Sequence, residues 1–258
     1  MRLALVGATG KMGRAVARLA LEEEITIVCA ISPEGVGLDV GQLAGVSLNG
    51  TLVTEDLAAI PLTKPDVVID FSSANAFPAV CAASLAANAA LVSGTTGLTD
   101  AHREALADIA RSVPVLWEPN MSLGVHVLGR LVEQALSLLG DDFDVEIVEA
   151  HHKFKVDAPS GTALRLLEVV KRGREDALAV NGREGQPGTR GQTEVGMHAI
   201  RGGDVIGDHT VMFLGSGERI ELTHRATSRD LFAKGALVAA QWIQGKPPGR
   251  YSLRDVVG

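Results

Sequence analysis

LALVGATGKMG, Leu3 to Gly13, sets four apolar residues directly before glycines at 7, 10 and 13, and a helical pattern follows. Leu3 to Val6 reads as a buried first strand. The turn after it needs glycine for three separate reasons: a tight bend, close approach of backbone to a pyrophosphate, and contact of helix against strand. An anion above this turn meets unpaired N–H groups and the positive end of the helix dipole. Strand, glycine turn and helix in that order mark the start of a dinucleotide-binding unit. The acidic ribose ligand that usually ends the second strand is missing, because ITIVCAI (Ile25 to Ile31) runs into Ser32, Pro33 and Glu34. NAD and NADP therefore both remain open.

Working outward, apolar runs alternate with helical patterns as far as Glu118. The helix from Lys11 to Glu23 leads into ITIVCAI, and VVIDF, ALVSG and VPVLW follow with helices between them. That rhythm predicts a parallel sheet covered by helices. Near residue 121 it changes. Ser122 to Leu139 places Leu123, Val127, Leu128, Leu131, Ala135 and Leu138 on one helical stripe. A strand from about Val145 to Ala150 comes next, then a helix opening near Ser160. The Gly/Arg-rich stretch Gly173 to Thr193 follows, in which Gly182 to Gly191 is a candidate mobile loop or lid. Strand-like segments at Val195 to Arg201, His209 to Leu214 and Arg219 to Arg225 have no helices between them. A final helix from Asp230 to Gln244 stops at Gly245, ahead of Pro247 and Pro248. The expected fold is α/β: a Rossmann-type parallel-sheet domain over 1–121, then a smaller α+β domain with a mixed, mostly antiparallel sheet over 122–228. Residues 229–258 form a C-terminal helical segment.

Composition narrows the partners. The net charge of −7 disfavours nucleic acid and anionic membrane surfaces, so any anionic ligand must be held locally. The longest apolar runs, such as Ala82 to Val92, are broken well short of a bilayer span. The first residues lack the longer core and small-residue cleavage site of a signal peptide. Cys29 and Cys81 have neither disulfide nor zinc spacing, and a reducing, cytoplasmic compartment is the expectation.

The densest chemistry is EAHHKFKVDAPSGTAL, Glu149 to Leu164. His151, His152, Lys153 and Lys155 crowd basic or titratable groups at a strand end, which is unfavourable without an anion to meet them. If the extended conformation persists, His151 and Lys155 share one side and His152 takes the other. Adjacent histidines so placed chelate a metal poorly, and no metal is expected. Pro159-Ser160-Gly161-Thr162 reads as a helix start with Ser160 as N-cap and bare amides after it, a second anion site. SGTTG (Ser93 to Gly97) reads equally as a plain turn and a cofactor-lining loop. Glu118-Pro119-Asn120-Met121 serves equally as hinge and cleft. His224, Arg225 and Arg229 fit a solvated stretch as well as an anion site. Trp117 and Trp242 are expected in the core.

These residues together resemble the dihydrodipicolinate reductase family along essentially the whole chain. The resemblance rests on VGATGKMGR, VIDFSS at Val68 to Ser73, SGTTG, PNMSLGV, the long HHKFKVDAPSGTA stretch and THRATSRDLFAKGA. It implies reduction of 4-hydroxy-tetrahydrodipicolinate with NADPH or NADH, on the diaminopimelate route to lysine. It also implies a C-terminal helix returning to the dinucleotide-binding domain and a homotetramer. By motif, His151 matches the family's general acid and Lys155 its catalytic lysine. His152, Lys153, Ser160, Gly161 and Thr162 match positions around the dicarboxylate substrate. Gly7, Ala8, Thr9, Gly10, Lys11, Met12, Gly13, Ser32, Phe71, Ser72, Gly94, Thr95, Thr96, Pro119, Asn120, Met121 and Arg229 match the cofactor side. Ser32 departs from the acidic residue of many relatives. Two rivals compete with this reading: a dehydrogenase using a cysteine thiolate, and a non-catalytic dinucleotide sensor.

Overall fold

The computed structural model describes residues 1–258. In chain order its elements are β1 (Arg2–Val6), α1 (Lys11–Glu22), β2 (Thr26–Ile31), α2 (Val40–Leu43), β3 (Val53–Thr54), α3 (Ala59–Thr63), β4 (Val67–Asp70), α4 (Phe77–Ala86), β5 (Ala90–Ser93), α5 (Asp100–Ile109) and β6 (Pro114–Trp117). Then come α6 (Leu123–Leu139), β7 (Asp144–His151), α7 (Gly161–Gly173), β8 (Leu178–Asn181), β9 (Glu194–Arg201), β10 (Gly207–Leu214), β11 (Arg219–Ala226), α8 (Asp230–Ile243), β12 (Gly249–Tyr251) and α9 (Leu253–Val257). No helix is long and apolar enough to cross a membrane. The chain divides into two units, one of Met1–Leu123 with Asp230–Gly258 and one of Gly124–Arg229.

The first unit holds a seven-stranded sheet in the order β12-β6-β5-β4-β1-β2-β3, every neighbouring pair parallel. Its inner strands are mostly apolar because both faces are covered. Leu3 and Leu5 join one core with Val16 and Ala17 of α1 and Ala236 and Leu237 of α8. Ala4 and Val6 point the other way, into a core with Phe77 and Cys81 of α4 and Leu106 of α5. Each such fully buried leucine or valine is worth roughly 1.5–3 kcal/mol. β1 lies between β2 and β4, so the sheet order reverses at the strand that carries the glycine turn. Such a reversal opens a crevice at the carboxyl ends of the strands.

The second unit holds a five-stranded sheet, β11-β10-β7-β9-β8. It is mixed as expected, but not mostly antiparallel. β10 pairs antiparallel with β11 and β7, whereas β7–β9 and β9–β8 are parallel. The reason is two crossovers: α7 returns the chain between β7 and β8, and the 182–193 segment returns it again between β8 and β9, so β9 enters between them parallel to both. β8 lies within the Gly/Arg-rich stretch and is mostly exposed, so its sequence shows no alternation to read.

Helix α6 forms where periodicity placed it, but its buried face overlaps the expected stripe only in part, at Leu128 and Ala135. Leu128, Val132 and Leu136 are buried against the second unit's sheet and α7, while Val127, Leu131 and Leu138 of the expected stripe are 43%, 44% and 84% exposed. Apolar residues cover so much of this helix that two overlapping stripes fit the period, and packing selects between them.

Candidate active site

The first unit gathers the residues expected on the cofactor side except Arg229, which ends the second unit. Gly7 has φ +78°, and a Cβ there would collide with the Phe71 carbonyl. A Cβ on Gly13 would collide with the Gly7 carbonyl, and one on Gly94 with the Phe71 ring. Three glycines thus let the turn after β1, the start of α1 and the ends of β4 and β5 come together without side chains between them. Gly10 caps α1 without any side-chain hydrogen bond. The first amides of that helix are therefore left to an external acceptor. A glycine cradle, an uncapped helix and the reversal of strand order fit a dinucleotide.

Buried Asp70 ties the neighbouring loops. It accepts from Ser72 N at 3.0 Å and Ser72 Oγ at 2.5 Å, and from Ser93 Oγ and Thr95 Oγ1, each at 2.8 Å. Trp117 donates its Nε1–H to the Thr95 carbonyl at 2.8 Å, so this tryptophan braces SGTTG. Thr96 is exposed. Ser32 is buried, with its hydroxyl 2.6 Å from that of Thr9, and Lys11 is exposed at the helix start. Ala8 is buried and Met12 packs against the core. Pro119 is exposed, Asn120 Oδ1 accepts from Ser122 N at 2.9 Å, and Met121 is buried.

The second unit carries the histidine and lysine cluster. β7 runs one residue past its expected end, so His151 is its last member. The extended conformation stops there, against the premise that it would carry on to Lys155. Lys155 N donates to the His152 carbonyl at 3.1 Å, and a turn replaces the strand. His151 is buried, while Lys153 is exposed with its ammonium 5.1 Å from the centre of the Phe154 ring. Lys155 Nζ lies 2.8 Å from Asp157 Oδ1. Ser160 caps α7 as expected, its Oγ accepting from Ala163 N at 3.3 Å. Gly161 is exposed and Thr162 half-buried at that helix start. Arg229 is exposed.

Around His151 stand residues that the sequence did not single out. Glu149 is 1% exposed and lies two positions before His151 on β7, so both side chains leave the same face. His209 is the cross-strand partner of Glu149, and Arg201 that of His151. The His209 and His151 rings meet edge to face, centroids 5.2 Å apart. Burial, and then the neighbouring His151 charge, pushes His209 down to about 4, so it stays a neutral ring at pH 7. Ser160 Oγ lies 3.3 Å from His209 Nε2. A Cβ on Gly207 would stand 3.1 Å from His151 Nε2, so glycine keeps that nitrogen uncrowded. Only the spacing of Glu149 and His151 was visible beforehand; the others depend on strand register.

Elsewhere in this unit, Arg183 and Arg190 both bind Glu146, at 2.9–3.1 Å, which fastens both ends of the Gly182–Gly191 loop to β7. No cluster of three or more metal-ligating side chains exists. Cys29 and Cys81 are buried. Burial raises both thiols, Cys81 to about 12, which disfavours a cysteine nucleophile.

The chain matches two family profiles: "Dihydrodipicolinate reductase, N-terminus" over residues 1–121 and "Dihydrodipicolinate reductase, C-terminus" over 124–257. It is 48% identical to the 4-hydroxy-tetrahydrodipicolinate reductase of Anaeromyxobacter dehalogenans, covering 100% of this chain and 97% of the relative. It is 47% identical to that of Alkalilimnicola ehrlichii, covering 100% and 98%. Among solved structures, the dipicolinate-bound dihydrodipicolinate reductase of a Paenisporosarcina species shares the fold. Its TM-score is 0.79 at 23% identity, over 98% of this chain and 97% of that one.

Proposed function

The chain belongs to the dihydrodipicolinate reductase family, and from that premise we infer that it reduces 4-hydroxy-tetrahydrodipicolinate to tetrahydrodipicolinate, a step of the diaminopimelate route to lysine. One observation carries the reading to particular residues: His151 ends β7 with Nδ1 bound to a buried carboxylate and Nε2 beside a glycine. The reduced nicotinamide supplies a hydride when bound. Hydride adds at one carbon of a cyclic, unsaturated dicarboxylate and water leaves, so a proton must reach the neighbouring carbon. His151 Nε2 donates it. Lys155 stabilises charge developing on the substrate, exchanging its Asp157 partner to do so. The first turn of α7, with Ser160, Gly161 and Thr162, holds the substrate carboxylates together with His152 and Lys153.

Gly7 to Gly13, Ser32, Phe71, Ser72, Gly94 to Thr96, Pro119 to Met121 and Arg229 hold the dinucleotide in this reading. Both NADH and NADPH serve, because Ser32 offers no charge to repel the ribose phosphate. A net charge of −7 disfavours nucleic acid and anionic membrane surfaces as partners, and the two free cysteines fit a reducing, cytoplasmic compartment. The homotetramer implied by the family completes the proposal and is checked by sedimentation equilibrium. The central test follows oxidation of NADH and of NADPH by absorbance, with substrate generated in place from pyruvate and aspartate semialdehyde. Turnover with either supports the assignment; no oxidation with both removes it.

A further inference from the structure

The carboxylate of Glu149 is fully occupied. Oε2 faces His151 Nδ1 at 2.6 Å and accepts from Arg201 Nη1 at 2.8 Å. Oε1 accepts from Arg201 Nη2 at 2.8 Å and from Ser160 N at 3.0 Å. Each oxygen thus has two partners, and the carboxylate cannot turn without giving up a charged bond. Burial alone would raise the Glu149 carboxyl, but donation from Arg201, His151 and Ser160 outweighs it and holds the group below the usual carboxylate range. An ionised carboxylate only accepts, so Nδ1 of His151 must carry a proton.

We propose that Glu149 is a positioning residue for His151: it fixes Nδ1 as the donor, leaving Nε2 as the ring atom that gives a proton to the substrate, while Arg201 locks the carboxylate in one pose. The inference rests on the role given to His151 under Proposed function. In the transfer, the Nε2–H bond of the doubly protonated ring breaks, its electron pair stays on Nε2, and the proton bonds to the carbon beside the one that accepts hydride. The ring is left neutral with its remaining proton on Nδ1, still donated to Glu149. Nε2 then takes a proton from solvent for the next turnover. The same carboxylate also fastens the first cap of α7 through Ser160 N, so the proton-donating ring and the proposed carboxylate-binding helix start share one anchor.

The test combines kinetics with nitrogen NMR of the histidine rings in the full chain. Glu149→Gln should lower kcat by about 10- to 100-fold with KM for the dicarboxylate changed less than about threefold. Glu149→Asp, which keeps a carboxylate, should recover part of the loss. In the wild type, the ring signals lost in His151→Gln should show a proton held on Nδ1, with Nε2 the exchanging nitrogen. In Glu149→Gln, both tautomers should be populated. A wild-type His151 whose neutral form carries its proton on Nε2 overturns the proposal even if no Glu149 variant folds. Wild-type kcat in Glu149→Gln, with His151→Gln impaired, overturns the positioning role alone. Wild-type kcat in His151→Gln removes the underlying reading as well.

Discussion

Gly235 of α8 passes so close to the main-chain carbonyl of Met121 that a methyl group on it would collide with the oxygen. This contact brings the last helix of the first unit against the segment that follows β6. Around it, Ala233, Ala236, Ala239 and Ala240 are fully buried, so small side chains set how closely α8 approaches. Gly235→Ala should destabilise the protein by about 1–3 kcal/mol, because backbone rather than a flexible side chain must move. Asp230→Ala is the contrast. It removes a half-exposed ion pair with Arg18, 2.8 Å long, and should cost less than about 1 kcal/mol. Thermal unfolding of both variants checks the ranking; equal losses would mean that α8 is not held by close packing at Gly235.

Asp70 should be needed for a rigid cofactor loop. Its removal in Asp70→Ala leaves the buried hydroxyls of Ser93 and Thr95 without their acceptor, at about 1–3 kcal/mol for each orphaned group. Dinucleotide affinity, read by fluorescence of the reduced nicotinamide, should fall along with melting temperature. A destabilised variant with unchanged affinity would show that the Asp70 network does not shape the cofactor site.

Thr162→Ala and Lys153→Ala should raise KM for the dicarboxylate more than they lower kcat, because both remove contacts made before the transition state. Pyridine-2,6-dicarboxylate should compete with substrate. Failure of this compound to bind at millimolar concentration, while the dinucleotide still binds, would refute the assignment of the α7 helix start.

Acid stability should depend on Glu146. Burial alone would raise its carboxyl, but Arg183, His198 and Arg190 bring it down to about 2. A folded value below the ordinary 4.5 contributes stability that is complete above about pH 4.5 and lost as pH falls toward 2. Glu146→Gln should therefore be less stable at pH 7 and lose less than wild type on acidification from about pH 5 to pH 2. Parallel urea titrations at each pH report it, and identical slopes in the two proteins would exclude the Glu146 cluster as the source of acid sensitivity.

Coenzyme choice should be nearly even, within about tenfold in kcat/KM, or about 1.4 kcal/mol. Ser32 is engaged with Thr9, and exposed Glu34 touches this site only through its backbone N–H, 3.4 Å from Ser32 Oγ. Lys11→Ala should weaken NADPH more than NADH. Titration of both dinucleotides into wild type, Lys11→Ala and Glu34→Ala gives affinities beside the rates. Equal losses in Lys11→Ala would show that this lysine does not read the phosphate, and a roughly hundredfold wild-type preference would refute dual use.

The sequence by itself determined the parts that are local. Glycines at 7 and 13 after an apolar strand specify a turn in which a Cβ at either position would collide with backbone, and Ser160 specifies its helix start by a bond three residues away. Repeated apolar runs likewise specified a sheet covered on both faces. Tertiary structure decided what depends on register and packing. The same period on α6 fits two faces, and only the sheet and α7 beneath it select Leu128, Val132 and Leu136. The parallel pairing of β7 with β9 sets Arg201 opposite His151, and the antiparallel pairing with β10 sets His209 opposite Glu149. Those partners lie about fifty or more residues along the chain, where spacing carries no signal. The pairing of distant strands, which encloses Glu149 among four donors, turns a run of basic residues into a histidine with one defined proton-bearing face.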